Sequence, residues 1–232
     1  MAGVELDARG ELDAGQMSET GLRQVRKLVE DHGLRVSAVE FRTRRGYGNP
    51  DDLPRRVEAT KAAMRMAYAL GAGLVVNQIG RIPDDPESTD WKMMVEVLAD
   101  LGRFGQHAGS LLLAETGSED GPTLRKFVEA LPTGSLGVAL SPGNLVVNGF
   151  SPLEAVEVLG TDIHYVRATD GVRDMARGRG MEVILGRGSA DFPALLAALG
   201  ERSYSGYLCV ERETSSDPQA DLQQALEFLR NL

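Results

Sequence analysis

Residues 110–170 read SLLLAETGSEDGPTLRKFVEALPTGSLGVALSPGNLVVNGFSPLEAVEVLGTDIHYVRATD, and this stretch decides the fold. It holds three short apolar runs rich in strand-forming residues, Ser110–Glu115, Leu136–Ser141 and Ile163–Asp170, with longer segments between them. Ser151-Pro152-Leu153-Glu154 is a capping box with proline at the first helical position, so a helix starts there, and Gly160 ends it. Working outward, the same alternation continues in both directions. Gly3–Asp7, Leu34–Phe41, Leu74–Ile79 and Tyr207–Glu213 read as further strands. Apolar residues at helical spacing, such as Leu22, Val25, Leu28 and Val29, fill the intervals. Gly33, Gly71 and Gly109 stop helices, and Asp217-Pro218 opens the last one.

Seven strand–helix units in strict alternation predict a parallel sheet with right-handed crossovers. That many units in one domain favour an α/β fold of the (β/α) TIM barrel type, and no linker rich in Pro, Gly or Ser divides residues 1–232. A dinucleotide-binding Rossmann sheet is disfavoured, because GVELDARGELD after the first strand lacks GxGxxG. Such barrels have eight strands. Seven strands and seven helices therefore imply that the first β–α unit is not represented, and two unpaired sheet edges would favour self-association into a homo-oligomer.

Composition sets the class. The 232 residues are 42% hydrophobic, 25% charged and 5% aromatic, with 1 Cys and a net charge of −9. This fits a soluble globular protein. The acidic balance argues against nucleic acid as a partner, and no apolar run is long enough for a membrane span. A lone Cys209 excludes an internal disulfide and fits the cytoplasm; mid-strand, it reads as a buried small hydrophobe. The cations number 21 Arg to 4 Lys, which favours forked recognition of carboxylates and phosphates.

In a parallel barrel the reactive groups lie at the C-terminal ends of strands and in the loops that follow. Those positions hold Glu5 and Asp7, Arg42 with Arg44 and Arg45, Asn77 with Gln78 and Arg81, Glu115, Ser141 with Asn144, Arg167 with Asp170 and Arg173, and Glu211 with Arg212 and Glu213. His32, His107 and His164 fall at the other ends and read as surface or packing residues. Trp91, Met93 and Met94 have core spacing. Arg177, Arg179 and Arg187 add to the loop arginines, so a positive mouth on a negative molecule would attract an anionic substrate. The run RTRRGYGNPDD reads as a lid, and the backbone N–H groups of Gly186-Arg187-Gly188-Ser189 before a helix as a phosphate cradle.

The segments LLLAETG, LGVALSPGNL, IHYVRATDGVRD and LGRGSADFPALLAALGERSYSGYLCVERE resemble the xylose isomerase-like barrel superfamily, which includes sugar and sugar-phosphate isomerases and epimerases. The likeness runs from Gly3 to Glu213, with GVELD in the position of the second strand. It implies a metal site of Glu, Asp, His and Glu; carried over, these positions are Glu115, Ser141, Arg167 and Glu211. It also implies substrate contact at Arg173, while Asp170 is kept from the family's His-x-x-Asp pattern.

Two of four ligand positions are thus substituted. Serine is a weak neutral ligand and arginine has no lone pair to donate. At ~4 Å and an effective dielectric of ~20, one guanidinium would repel a divalent ion by on the order of 8 kcal/mol. No cofactor is therefore expected, a weakly held Mn2+ or Mg2+ between Glu115 and Glu211 being the alternative. The resulting expectation is a sugar or sugar-phosphate isomerase or epimerase in which Glu115 and Glu211 move a proton beside a carbonyl and Arg167 supplies the positive charge. Arg173, Asp170, Asn144, Asn77, Arg81 and Arg44 are the expected substrate-binding residues. The rival reading is a non-catalytic barrel that binds a small ligand in a decayed active site. Phosphodiester cleavage, as in the apurinic endonuclease relatives, needs several metal-binding histidines that these strand ends lack.

Overall fold

A computed structural model describes residues 2–10, 12–174, 179–212 and 215–232. The chain packs as two compact units, Met1–Ala114 with Val128–Gly137, and Glu115–Phe127 with Val138–Leu232. Seven strands form one sheet, and its hydrogen-bonded order follows the sequence once a separate two-stranded hairpin is set aside.

The first unit carries β1 (Gly3–Asp7), β2 (Arg35–Glu40), β3 (Leu74–Asn77) and most of β4 (Leu111–Glu115), with α1 (Glu19–Asp31), α2 (Leu53–Leu70) and α3 (Thr89–Ala108) between them. The ladders β1–β2, β2–β3 and β3–β4 are parallel. Parallel strands are covered on both faces, which is why RVSAVE and LVVN are apolar through their middles and buried there. Trp91 and Met94 pack in the core from α3, as their spacing predicts, while Met93 of the same set is only part-buried. Gly102 of that helix has no room for a side chain, since a Cβ would lie 2.5 Å from Ser135.

The second unit carries β5 (Gly137–Leu140), β6 (Ile163–Ala168) and β9 (Leu208–Val210), with parallel β5–β6 and β6–β9 ladders. Its helices are α4 (Gly121–Glu129), α5 (Pro142–Asn148), α6 (Pro152–Leu159), α7 (Phe192–Glu201) and α8 (Pro218–Arg230). Ser151 caps α6 by accepting from the Glu154 N–H, and Asp217 caps α8 by accepting from the Ala220 N–H.

Three expectations need correcting. The helices number eight among the described residues, because Pro142–Asn148 forms its own short helix directly after β5. The segment after β6 is an antiparallel hairpin, β7 (Asp170–Asp174) and β8 (Arg179–Val183), where a loop was expected. Cys209 is partly exposed on β9, because the last strand is only three residues long and lies at the end of the sheet order. No helix among the described residues is long and apolar enough to cross a membrane.

Candidate active site in the second unit

The ends of four parallel strands bring the site together. Arg167 pairs with Cys209 across the β6–β9 ladder, so the two share a face. Side chains alternate along a strand, and Glu211, two residues beyond Cys209, shares that face as well. Ala139 pairs with Tyr165 in the β5–β6 ladder, which puts Ser141 on the same side as Arg167. Glu115 ends β4.

Arg167 is the largest fully buried side chain of the described residues, 1% exposed. Its Nη1 lies 3.0 Å from Glu115 Oε1 and 3.2 Å from Glu211 Oε2. The guanidinium thus bridges the two carboxylates. Burying the Arg167 and Glu115 charges without partners would be prohibitive, and the bridge offsets part of that penalty. The glutamates differ in access: the Glu115 side chain is 3% exposed and that of Glu211 23%. Asn144, from the first turns of α5, donates from Nδ2 to Glu115 Oε1 at 3.1 Å and adds to the hold on that carboxylate.

Ser141 is locked from two sides. Its Oγ is 3.0 Å from Thr169 Oγ1, and its N–H donates to Thr116 Oγ1 at 2.8 Å. Thr169 Oγ1 also accepts from the Gly143 N–H at 3.1 Å. These contacts test whether the family's divalent ion fits. The four carried-over positions offer two carboxylates already bonded to a guanidinium, a hydroxyl engaged with threonine, and the guanidinium itself. The donor set does not fit a divalent ion, and among the described residues no cluster of three or more His, Cys, Asp or Glu does.

Asp170 is not a ligand-facing group. It is 1% exposed, and its carboxylate accepts from the N–H groups of Gly171 (2.8 Å), Gly186 (3.1 Å), Gly188 (2.9 Å) and Ala190 (3.0 Å). The expected phosphate cradle at residues 186–189 is corrected as well: Asp170 takes the Gly186 and Gly188 N–H groups, and those of Arg187 and Ser189 donate to the Ile184 and Gly171 carbonyls. Arg173 is exposed on β7 with its guanidinium against the Gly149 backbone, and it does not line the cavity beside Glu115 and Glu211.

The remaining candidates belong to the first unit. Asn77 is fully buried and donates from Nδ2 to the Phe41 carbonyl at 2.6 Å, so its amide ties two strand ends and is not offered to a ligand. Arg81 is exposed and paired with Asp84 at 3.6 Å. Arg44 lines a cavity of the first unit described below. Arg177 and Glu213 lie outside the described residues.

Sequence reasoning missed Thr116, Thr169 and Glu182. Glu182 comes from β8 and lines the cavity with Glu115 and Glu211; Arg212 holds its carboxylate at 3.1 Å and Asp221 of α8 at 3.3 Å. Arg212 is therefore used inside the unit instead of facing a substrate. The alternation in DGVRD and RGMEV was the available signal for this hairpin. The cavity is about 30 Å³, room for about one water molecule.

The model of the family described as xylose isomerase-like TIM barrel matches residues 1–232. The chain belongs to this family. Among solved structures it is similar to a xylose isomerase domain protein from Planctomyces limnophilus, with TM-score 0.89 and 23% identity over 99% of this chain and 87% of that one. A xylose isomerase-like TIM barrel protein from Mycobacterium smegmatis, in complex with magnesium, gives TM-score 0.77 at 16% identity, covering 99% and 83%. A D-allulose 3-epimerase from Methylomonas sp., in complex with D-allulose, gives 0.75 at 18%, covering 99% and 85%. Among curated proteins none matches. At these identities the neighbours show the fold; the chemistry must be argued from the residues.

Proposed function

We propose that this xylose isomerase-like protein is an isomerase or epimerase of a small sugar or sugar phosphate, in which the fixed charge of Arg167 takes over the role of a divalent ion. The observation that carries the reading is the Glu115–Arg167–Glu211 bridge at the strand ends. The sugar epimerases among the structural neighbours support the substrate class.

Removing a proton from the carbon beside a carbonyl breaks a C–H bond and sends its electron pair to the carbonyl oxygen, giving an enediolate. Glu211, the more accessible carboxylate, accepts that proton. The Arg167 guanidinium, preorganised by burial, stabilises the new oxyanion as a fixed positive charge. For isomerisation Glu211 returns the proton to the former carbonyl carbon while the neighbouring hydroxyl passes its proton to the former carbonyl oxygen, so the C=O forms one carbon along. For epimerisation Glu115, oriented by Asn144, passes a proton to the opposite face of the enediolate, and Glu211 gives its own back through solvent before the next turnover. Glu182 from the hairpin lines the same cavity and contacts a ligand there.

The size of the cavity favours a second reading, a non-catalytic ligand-binding barrel with a decayed site, because a sugar requires the wall formed with Glu182 to move. Incubation with ketoses and sugar phosphates in deuterated water separates the two. Deuterium beside the carbonyl that disappears in Glu211→Gln supports catalysis. Absence of exchange across the panel, with ligand binding retained, supports the second reading.

A further inference from the structure

The first unit contains a cavity of about 610 Å³, within the range of small-ligand sites. Five arginines line it, Arg9, Arg44, Arg45, Arg55 and Arg56, against two aspartates, Asp13 and Asp52. The wall thus carries a net charge of +3 in a protein of net charge −9.

The arginines divide by what they touch. Arg56 donates to the carbonyls of Gly46, Asn49 and Asp51 and fastens the loop before α2. Arg45 pairs with Asp51 at 3.3 Å, where both side chains are largely exposed. Arg9 stacks on Phe41, 5.0 Å from the ring centroid. Among the described residues, neither Arg9, Arg44 nor Arg55 has a carboxylate partner. Asp13 does not supply one, since its carboxylate accepts from Gly15 N–H and Gln16 Nε2 within its own turn.

Position sharpens the contrast. Arg55 and Arg56 lie in the first turn of α2, which has no acidic residue, and the cap residue Asp52 makes no side-chain hydrogen bond to it. Cations are disfavoured at a helix N-terminus, where the backbone field is already positive. Grouping unpaired guanidinium ions around such a terminus costs stability unless an anion enters. The forked donors match phosphate and carboxylate oxygens, while Ala8, Phe41 and Ala59 offer an apolar wall for an uncharged ligand body.

We propose that this cavity is a binding site for a compact organic oxyanion of two or more charges, a phosphate ester or a polycarboxylate, gripped by Arg9, Arg44 and Arg55. The inference does not depend on the chemistry assigned to Arg167.

Calorimetric titration of the intact chain with inorganic pyrophosphate and with citrate tests it. Saturable binding is expected, weakened at least about tenfold in Arg44→Ala/Arg55→Ala and reduced by raising salt to about 0.2 M. Tighter binding of pyrophosphate assigns the site to phosphates, and tighter binding of citrate to polycarboxylates. Arg103→Ala, on α3 and outside the lining of the cavity, should leave the affinity unchanged. Because Arg44 and Arg55 are exposed, the double variant should fold, and its melting temperature should no longer rise with pyrophosphate as that of the parent does. Neither anion binding the parent, equal affinity in the double variant, or an equal loss of binding in Arg103→Ala would overturn the proposal.

Discussion

At the scale of single residues, Arg167 is the decisive side chain. It is buried with two carboxylates, one of them almost inaccessible, and removing one partner from such a set leaves an uncompensated charge. Arg167→Met should therefore destabilise the fold by about 3–5 kcal/mol, read from urea unfolding. Glu115→Gln/Arg167→Met/Glu211→Gln, which removes every charge together, should recover most of that loss. A triple variant as unstable as the single one would show that packing, not charge, is what Arg167 supplies. The reverse substitution tests the metal argument. Ser141→Asp/Arg167→His restores the ligand set that the family resemblance assigns, and should acquire Mn2+ binding measurable by calorimetry where the parent shows at most weak binding. Glu115, Arg167 and Glu211 fall among the strand-end residues that a parallel sheet brings together, and it was the family resemblance that singled them out from the rest. The role of Asp170 was not legible. Its position in the motif suggested a ligand, whereas its partners are four backbone N–H groups from a segment up to 20 residues away, and backbone demand leaves no mark on a sequence.

At the scale of elements, the hairpin and the turn behind it depend on that carboxylate. Asp170 opens β7, and its two oxygens collect the N–H groups that would otherwise be unsatisfied where the chain leaves β8 and approaches α7. Asparagine offers one oxygen and turns an NH2 against donors. Asp170→Asn should cost on the order of 3 kcal/mol, since hydrogen bonds to a charged group are worth about 1.5–3 kcal/mol each and buried donors would lose their acceptor. The midpoint of urea unfolding checks it. Gly188→Ala should act in the same direction, because a Cβ there would lie 2.1 Å from Asp170 Oδ1. A neutral result for both would mean that the turn has another anchor. The seven parallel strands were legible from run and interval alone. The hairpin was harder to see, because the alternation in DGVRD and RGMEV is carried by few apolar residues and runs over only five positions in each strand. Missing it concealed Glu182, the third carboxylate at the candidate site.

At the scale of the whole molecule, composition gave the class of the protein but said nothing about where charge would be concentrated: the loop arginines counted together in the sequence divide in the structure among structural pairs, an exposed hairpin and one positive cavity. The two units also carry one strongly shifted tyrosine each. Tyr47, in the first, is fully buried with its hydroxyl 2.7 Å from Thr60 Oγ1, and burial raises its pKa far above the ordinary value. Tyr204, in the second, donates to the Tyr207 carbonyl at 2.7 Å and is raised by burial as well. An unfolded tyrosine loses its proton from about pH 10, while these keep theirs. Above that pH the unfolded chain binds fewer protons than the folded one, so stability is constant below about pH 10 from this source and falls as pH rises through the interval up to the folded pKa. The slope is at most about 1.4 kcal/mol per pH unit for each tyrosine. Trp91, the only tryptophan, reports on the first unit. Urea unfolding followed by its fluorescence between neutral pH and about pH 11 should therefore become less pH-dependent in Tyr47→Phe, even though that variant loses the Thr60 contact and starts from a lower stability. If Tyr204→Phe flattens the Trp91 transition equally, the two units unfold as one; if neither does, the alkaline limb arises from groups other than these tyrosines.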